Sequence, residues 1–176
     1  MKVLFLDIDG VLNSENWFGY RLYCIKNNMF NEVINFVNTN DERLKHKLSM
    51  IDDRAIANLN RIIEETGCKV VLSSSWRSCV EAENTLTEYL FKLKGFKYEL
   101  YDVTPRLWFN DFSIRRGEEI KLWMDKESEK NEIESFVILD DDSDILPEQM
   151  NNFIKIDGQV GLTDRDVFTA IEILNK

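Results

Sequence analysis

Apolar residues along this chain fall into two rhythms, and their alternation predicts an α/β fold. Val3-Leu4-Phe5-Leu6, Val70-Val71-Leu72 and Phe136-Val137-Ile138-Leu139 are short unbroken apolar runs, as in strands covered on both faces. Between the first two, Ala55, Leu59, Ile62 and Ile63 repeat at helical spacing, with Asp52 or Asp53 as a start signal and Gly67 as a stop. Leu86, Tyr89, Leu90 and Leu93 repeat that spacing ahead of Gly95, after which Phe96, Tyr98 and Leu100 alternate as a strand would. Ile120, Trp123 and Met124 mark a third helix, and Phe153 to Ile156 a short strand. A last helix opens at Thr163, where Thr163 and Asp166 have capping-box spacing ahead of Val167, Ala170, Ile171 and Leu174. Strands alternating with helices imply a parallel sheet with helices on both faces, and such sheets bind ligands at the carboxyl ends of their strands, near the point where strand order reverses.

Residues 13–50 break the alternation. A short helix from Met29 to Val37 would place Phe30, Val33, Ile34 and Val37 on one face, inside a stretch rich in Asn and aromatic residues. This reads as a small flap or minimal cap, inserted after the first strand of a single domain spanning 1–176. Trp17, Phe18, Tyr20 and Tyr23 either pack within it or flank a substrate entrance.

Composition narrows the chemistry. The 176 residues, 44% apolar and 11% aromatic, suffice for one folded domain with a substantial core. No apolar stretch reaches membrane-spanning length and the N-terminus lacks a signal-like segment, so a cytoplasmic protein without a membrane partner is expected. Cys24, Cys68 and Cys79 form no CxxC pair and read as reduced packing residues. His46, the only histidine, lies in a polar, charged stretch, which disfavours Ser-His or Cys-His catalysis. A formal charge of −10 disfavours broad adhesion to nucleic acid or anionic membrane, though it leaves room for a local basic groove.

Each apolar run ends in polar residues with chemical potential. Asp7 and Asp9 follow the first, and the strand period of two directs both carboxylates the same way; paired acids at a strand end suit a hard cation, and Gly10 permits a turn or the close approach of a ligand. Ser73-Ser74-Ser75-Trp76-Arg77 follows the second, and Asp140-Asp141-Asp142-Ser143-Asp144 ends the third. Read singly, each has a plain alternative: a solvated strand end, a helix cap, or a calcium loop, for which the last lacks a full EF-hand pattern.

Taken in order, DIDGVLNS, SSSWR, RGEEI and LDDDSD resemble the motifs of the haloacid dehalogenase (HAD) superfamily of phosphohydrolases, and more narrowly the small HAD domains associated with nucleic-acid repair proteins. The resemblance covers essentially the whole chain. It implies a HAD-like Rossmannoid sheet and a Mg²⁺-dependent phosphatase for phosphate monoesters, acting through an aspartyl-phosphate intermediate. Asp7 would be the nucleophile, and Asp9 the general acid and base, contributing its main-chain carbonyl to the metal. Asp140 and Asp141 would complete the Mg²⁺ site with Asp7 and Asp9. Ser74, with Ser73 a close second, would hold a phosphoryl oxygen; Ser75 and Gly10 would lie on the substrate side, and Arg77 would be a substrate-side or structural cation. The superfamily usually places a Lys near the start of the helix before the acidic cluster. Here Arg116 fits that location, with Arg115 and Lys121 as alternatives. The expected partner is a phosphorylated substrate, either a small ester, a nucleotide or a nucleic-acid end. The rival reading is a non-hydrolytic phospho-acceptor or phospho-ligand-binding regulatory module. Substrate identity and oligomeric state stay open.

Overall fold

The computed structural model describes every residue except 36, 39, 80–88, 110, 111 and 114. Five strands form one parallel sheet: β1 (Lys2–Leu6), β2 (Lys69–Leu72), β3 (Leu100–Val103), β6 (Ser135–Asp140) and β7 (Phe153–Lys155). Their order is β3-β2-β1-β6-β7. The chain moves outward from β1 on one side and then returns to its other side, so the reversal of strand order falls between β1 and β6. A separate antiparallel pair, β4 (Trp108–Phe109) and β5 (Phe112–Ser113), lies between β3 and β6 in the chain.

The alternation of side chains across the pleat divides the core. Leu4, Leu6, Val70, Leu72, Val137 and Leu139 face α4 (Asp53–Thr66) and α6 (Asp164–Leu174). Val3, Phe5, Val71 and Ile138 face α5 (Arg116–Ser128) through Ile120 and Trp123. The start and stop signals act as expected at α4, where Asp52 accepts from the Arg54 N–H and Gly67 closes the helix at φ 68°. At α6, Thr163 and Asp166 form the capping box.

Two elements differ from the sequence reading, and a third lies partly outside the described residues. The Phe96–Tyr98–Leu100 alternation is largely loop. Phe96 N–H returns to the Phe91 carbonyl and Lys97 N–H goes to Asn60 Oδ1, so neither joins the ladder, and the strand begins only at Leu100. The rings instead pack edge to face, Phe96 on Phe91 at 5.8 Å and on Tyr98 at 6.2 Å. Of the helix expected at Leu86 to Leu93, residues 89–93 are helical and 86–88 lie outside the described residues. The helix expected over Met29 to Val37 is only α2 (Phe30–Val33), because Asn35 takes a left-handed φ of 57° just beyond it.

The 13–50 segment is mostly helical: α1 (Glu15–Lys26), α2 and α3 (Glu42–Ser49). It has its own small core of Trp17, Cys24, Val33, Ile34 and Leu48, completed by Leu90. Trp17 and Tyr20 pack against each other there, with ring centroids 5.7 Å apart. Lys94, whose side chain is fully buried, fastens this layer to the body. Its Nζ donates to the Val33 carbonyl at 2.8 Å, sits 5.1 Å from the Trp17 ring centroid, and lies 3.9 Å from the Asp53 carboxylate. Lys94→Met keeps the stem but strips the donor from a buried carbonyl, so a loss of about 1–3 kcal/mol is expected in urea unfolding. Among the described residues no helix is long and apolar enough to cross a membrane.

Candidate active site

The carboxyl ends of β1, β2 and β6 meet at the strand-order reversal. Asp7 extends the β1–β6 ladder by one bond, its N–H donating to the Leu139 carbonyl at 3.0 Å, and shares the α5 side of the sheet with Val3 and Phe5. Asp140 ends β6 on that same side. Arg116, at the first turn of α5, reaches down to both: Nη1 donates to Asp7 Oδ1 at 2.7 Å, and Nε lies 3.2 Å from Asp140 Oδ2. The second contact is an ion pair without hydrogen-bond geometry, so among the described residues that buried Asp140 oxygen has no hydrogen bond.

The position of Arg116 is set from two directions. Its N–H donates to Asp144 Oδ2 at 3.0 Å, an acid placed on the positive end of the helix. Beside it, Gly117 lets α5 seat closely, since a Cβ there would lie 2.5 Å from the Leu146 nitrogen. Of the three basic candidates, Arg116 is the one brought to the acids. Arg115 caps the helix as an exposed residue, and Lys121 points outward to Asp125 at 3.1 Å.

Asp7, Asp140 and Asp141 each offer an oxygen within 4.8 Å of the others. Burial raises the pKa of all three, and for Asp140 the rise reaches about 7, with Arg116 pulling back and Asp7 adding to it. Burial works against the Arg116 cation too, but Asp7 and Asp140 outweigh it and its pKa goes up. A carboxylate cluster this strained by desolvation, with a buried oxygen lacking a hydrogen bond, suits a hard divalent cation. Gly10 makes room for the Asp141 carboxylate: its φ is 72°, and a Cβ would come within 2.3 Å of Asp141 Cγ and Oδ2.

Asp9 departs from the expected alignment with Asp7. The strand ends at Leu6, and the N–H groups of Val11 and Leu12 turn back to the Ile8 carbonyl, so the period of two no longer holds. The Asp9 carboxylate is therefore outside the three-acid cluster. It accepts from Trp76 Nε1 at 3.0 and 3.1 Å, from Asn13 Nδ2 at 2.9 Å and from Ser75 Oγ at 3.3 Å. Neither Trp76 nor Asn13 is among the residues singled out by sequence, although both stand inside the motifs SSSWR and DIDGVLNS.

The serines separate by environment. Ser74 is buried with its hydroxyl near Asp7, where it offsets part of the burial effect on the carboxyl. Ser73 is also fully buried, and among the described residues its Oγ has no hydrogen-bond partner. Ser75 is exposed and serves Asp9. Arg77, expected as a substrate-side or structural cation, lies beneath the surface. Its side chain is 7% exposed, with the guanidinium paired with Glu119 and donating to the Ser74 carbonyl at 3.0 Å. A cation locked into a buried pair is withdrawn from solvent, and the sequence spacing carries no sign of it.

A parallel α/β sheet with two acids after its first strand, a hydroxyl after the second, a helix-borne cation and further acids after the fourth strand in spatial order defines a HAD-type domain. The chain belongs to the family of HAD domains in Swiss Army Knife RNA repair proteins, whose model matches residues 3–167. No curated protein and no solved structure matches it.

Proposed function

We propose that the chain is a Mg²⁺-dependent phosphatase that cleaves phosphate monoesters through an aspartyl phosphate on Asp7. The observation that carries this reading is the placement of Asp7: a buried carboxylate flanked by the Arg116 guanidinium, the Ser74 hydroxyl and two further acids. Asp7, Asp140 and Asp141 would hold the ion, with the Asp9 main-chain carbonyl beside them. When bound, Mg²⁺ supplies charge neutralisation that lets a phosphate dianion enter an acidic site.

An Asp7 oxygen attacks phosphorus as the ester P–O bond breaks, and the leaving alkoxide takes its proton from Asp9. Arg116 and Ser74 direct donors at the equatorial phosphoryl oxygens. Asp9, then a base, removes a proton from water; the new hydroxide attacks phosphorus, frees inorganic phosphate and restores Asp7. Donors from Trp76, Asn13 and Ser75 fix the Asp9 carboxylate, and in this reading it serves both transfers from that position. That second acid favours turnover over a stably phosphorylated regulatory module.

The family's occurrence in RNA repair proteins supports nucleotides or RNA ends as the substrate class. The test is phosphate release, with and without Mg²⁺, from p-nitrophenyl phosphate, mononucleotides, and oligonucleotides bearing 3′- or 5′-phosphates. Release confined to Mg²⁺ and fastest on one class of end is expected; no release from any member overturns the reading. Gly10→Ala is expected to weaken Mg²⁺ binding by about 10- to 100-fold in calorimetry, because the new methyl must displace Asp141.

A further inference from the structure

Three side chains take no part in the chemistry above yet are buried beside it: Arg77 and Glu119, in the two middle motifs, and Thr104, just after β3. The sheet explains why they meet. Leu6, Leu72 and Val103 pair in register on β1, β2 and β3, so Asp7, Ser73 and Thr104 occupy the next level at the strands' carboxyl ends. That level faces α5, as Asp102, two residues before Thr104 and so on the same face of the strand, shows by accepting from Trp123 Nε1 at 2.8 Å. On α5, Arg116 and Glu119 lie three residues apart and share a face. Arg116 serves the Asp7 and Asp140 end of the row, and Glu119 the β2 and β3 end.

Glu119 has two commitments, both polar and both in the interior. One oxygen accepts from Leu107 N–H at 2.9 Å, on the loop leaving β3. The other pairs with Arg77 Nη2. Arg77 in turn delivers two donors to one acceptor: its N–H at 3.2 Å and its Nη1 at 3.0 Å both meet the Ser74 carbonyl. Ser74 also accepts at Oγ from Trp76 N–H at 3.4 Å. An unbroken chain of contacts thus runs from the helix that carries Arg116 to the residue whose hydroxyl lies near Asp7.

We propose that Glu119 and Arg77 are positioning residues that fix Ser74 relative to Asp7 and Arg116, so that one helix sets both phosphate-directed donors. A shift of α5 would move Arg116 and Ser74 together, preserving their spacing around the phosphoryl group. This rests on the phosphatase reading, in which both donors meet the same group. Neither side chain touches substrate; each acts through the Ser74 main chain.

The test separates positioning from mere packing. Arg77→Met/Glu119→Leu replaces the buried pair with apolar groups of similar length, an exchange that folded proteins often tolerate without loss of stability. With p-nitrophenyl phosphate and Mg²⁺, kcat/KM is expected to fall about 100-fold, the order produced by misplacing a reacting group by roughly 1 Å, while the thermal midpoint stays near wild type. The independent readout is ¹⁹F NMR of the beryllofluoride adduct on Asp7, a phosphoryl mimic whose fluorines report their separate donors. Ser74→Ala identifies the resonance facing that hydroxyl, and this resonance is expected to move in the double variant. Should the double variant not fold, Arg77→Lys retains the charge beside Glu119 but loses the planar hold on Ser74, and the same resonance is expected to move. A folded variant with wild-type kcat/KM and an unchanged fluorine spectrum overturns the proposal alone. A wild-type protein showing neither adduct nor turnover overturns it together with the phosphatase reading.

Discussion

Asp7→Asn is expected to abolish phosphate release, a loss on the order of 10⁴- to 10⁶-fold, while leaving the protein folded. The magnitude follows from removing a covalent nucleophile whose partners are already in place: an amide keeps the shape and cannot attack phosphorus. Stability is expected to hold because burial already disfavours the Asp7 charge, and a neutral isostere removes that cost. Asp9→Asn separates the two halves of the mechanism. Its loss is expected to be about 10²- to 10⁴-fold on ordinary esters, which need a proton on the leaving oxygen. With p-nitrophenyl phosphate, whose phenolate departs without help, the first step proceeds and the second stalls. Intact-protein mass spectrometry of Asp9→Asn is therefore expected to show one added phosphoryl group, absent from Asp7→Asn/Asp9→Asn. Full activity in Asp7→Asn would exclude Asp7 as the nucleophile.

The strand that ends at Asp7 is also where the sequence was most legible. An apolar run buried on both faces is hard to mistake, and Asp7 marks where it reaches the site. The same holds for β2, β6 and α4, where short-range pattern and long-range packing agree. The insertion was opaque for a physical reason. α1 buries Trp17 and Cys24 but exposes Leu22, Tyr23 and Ile25, so its apolar residues surround the helix instead of forming a stripe. The residues that support the site were opaque for another. Trp76 and Arg77 adjoin in sequence, yet one reaches Asp9 and the other turns inward to Glu119, a difference made by the 3-10 turn over Ser75–Cys79. Asn13 and Asp144 act on backbone N–H groups, which no spacing rule displays.

The metal-free protein is expected to lose stability as pH rises from about 4 to about 7, and Mg²⁺ is expected to remove that loss. The sign follows from Asp140, whose carboxyl is raised from 3.8 to about 7 by burial, with Arg116 only partly offsetting it. Between those values the native state holds a proton that the unfolded state has released, so stability falls with pH. A shift of this size in a side chain with no exposure corresponds to roughly 4 kcal/mol, or about 10 °C in the thermal midpoint of a chain this long. Asp7 and Asp141 are raised by the same cause and add in the same direction. Mg²⁺ competes for the proton's place, so binding below pH 7 should release about one proton per ion, measurable by calorimetry in buffers of different ionisation enthalpy. Apparent affinity should then climb about tenfold per pH unit until Asp140 is ionised. Asp140→Asn decides the cause, because an uncharged amide has no proton to give up. In that variant the metal-free midpoint should lose most of its slope, and both Mg²⁺ stabilisation and turnover should fall away. A slope that survives the substitution would assign the acid-side stability to some other group and leave Asp140 ionised without a metal.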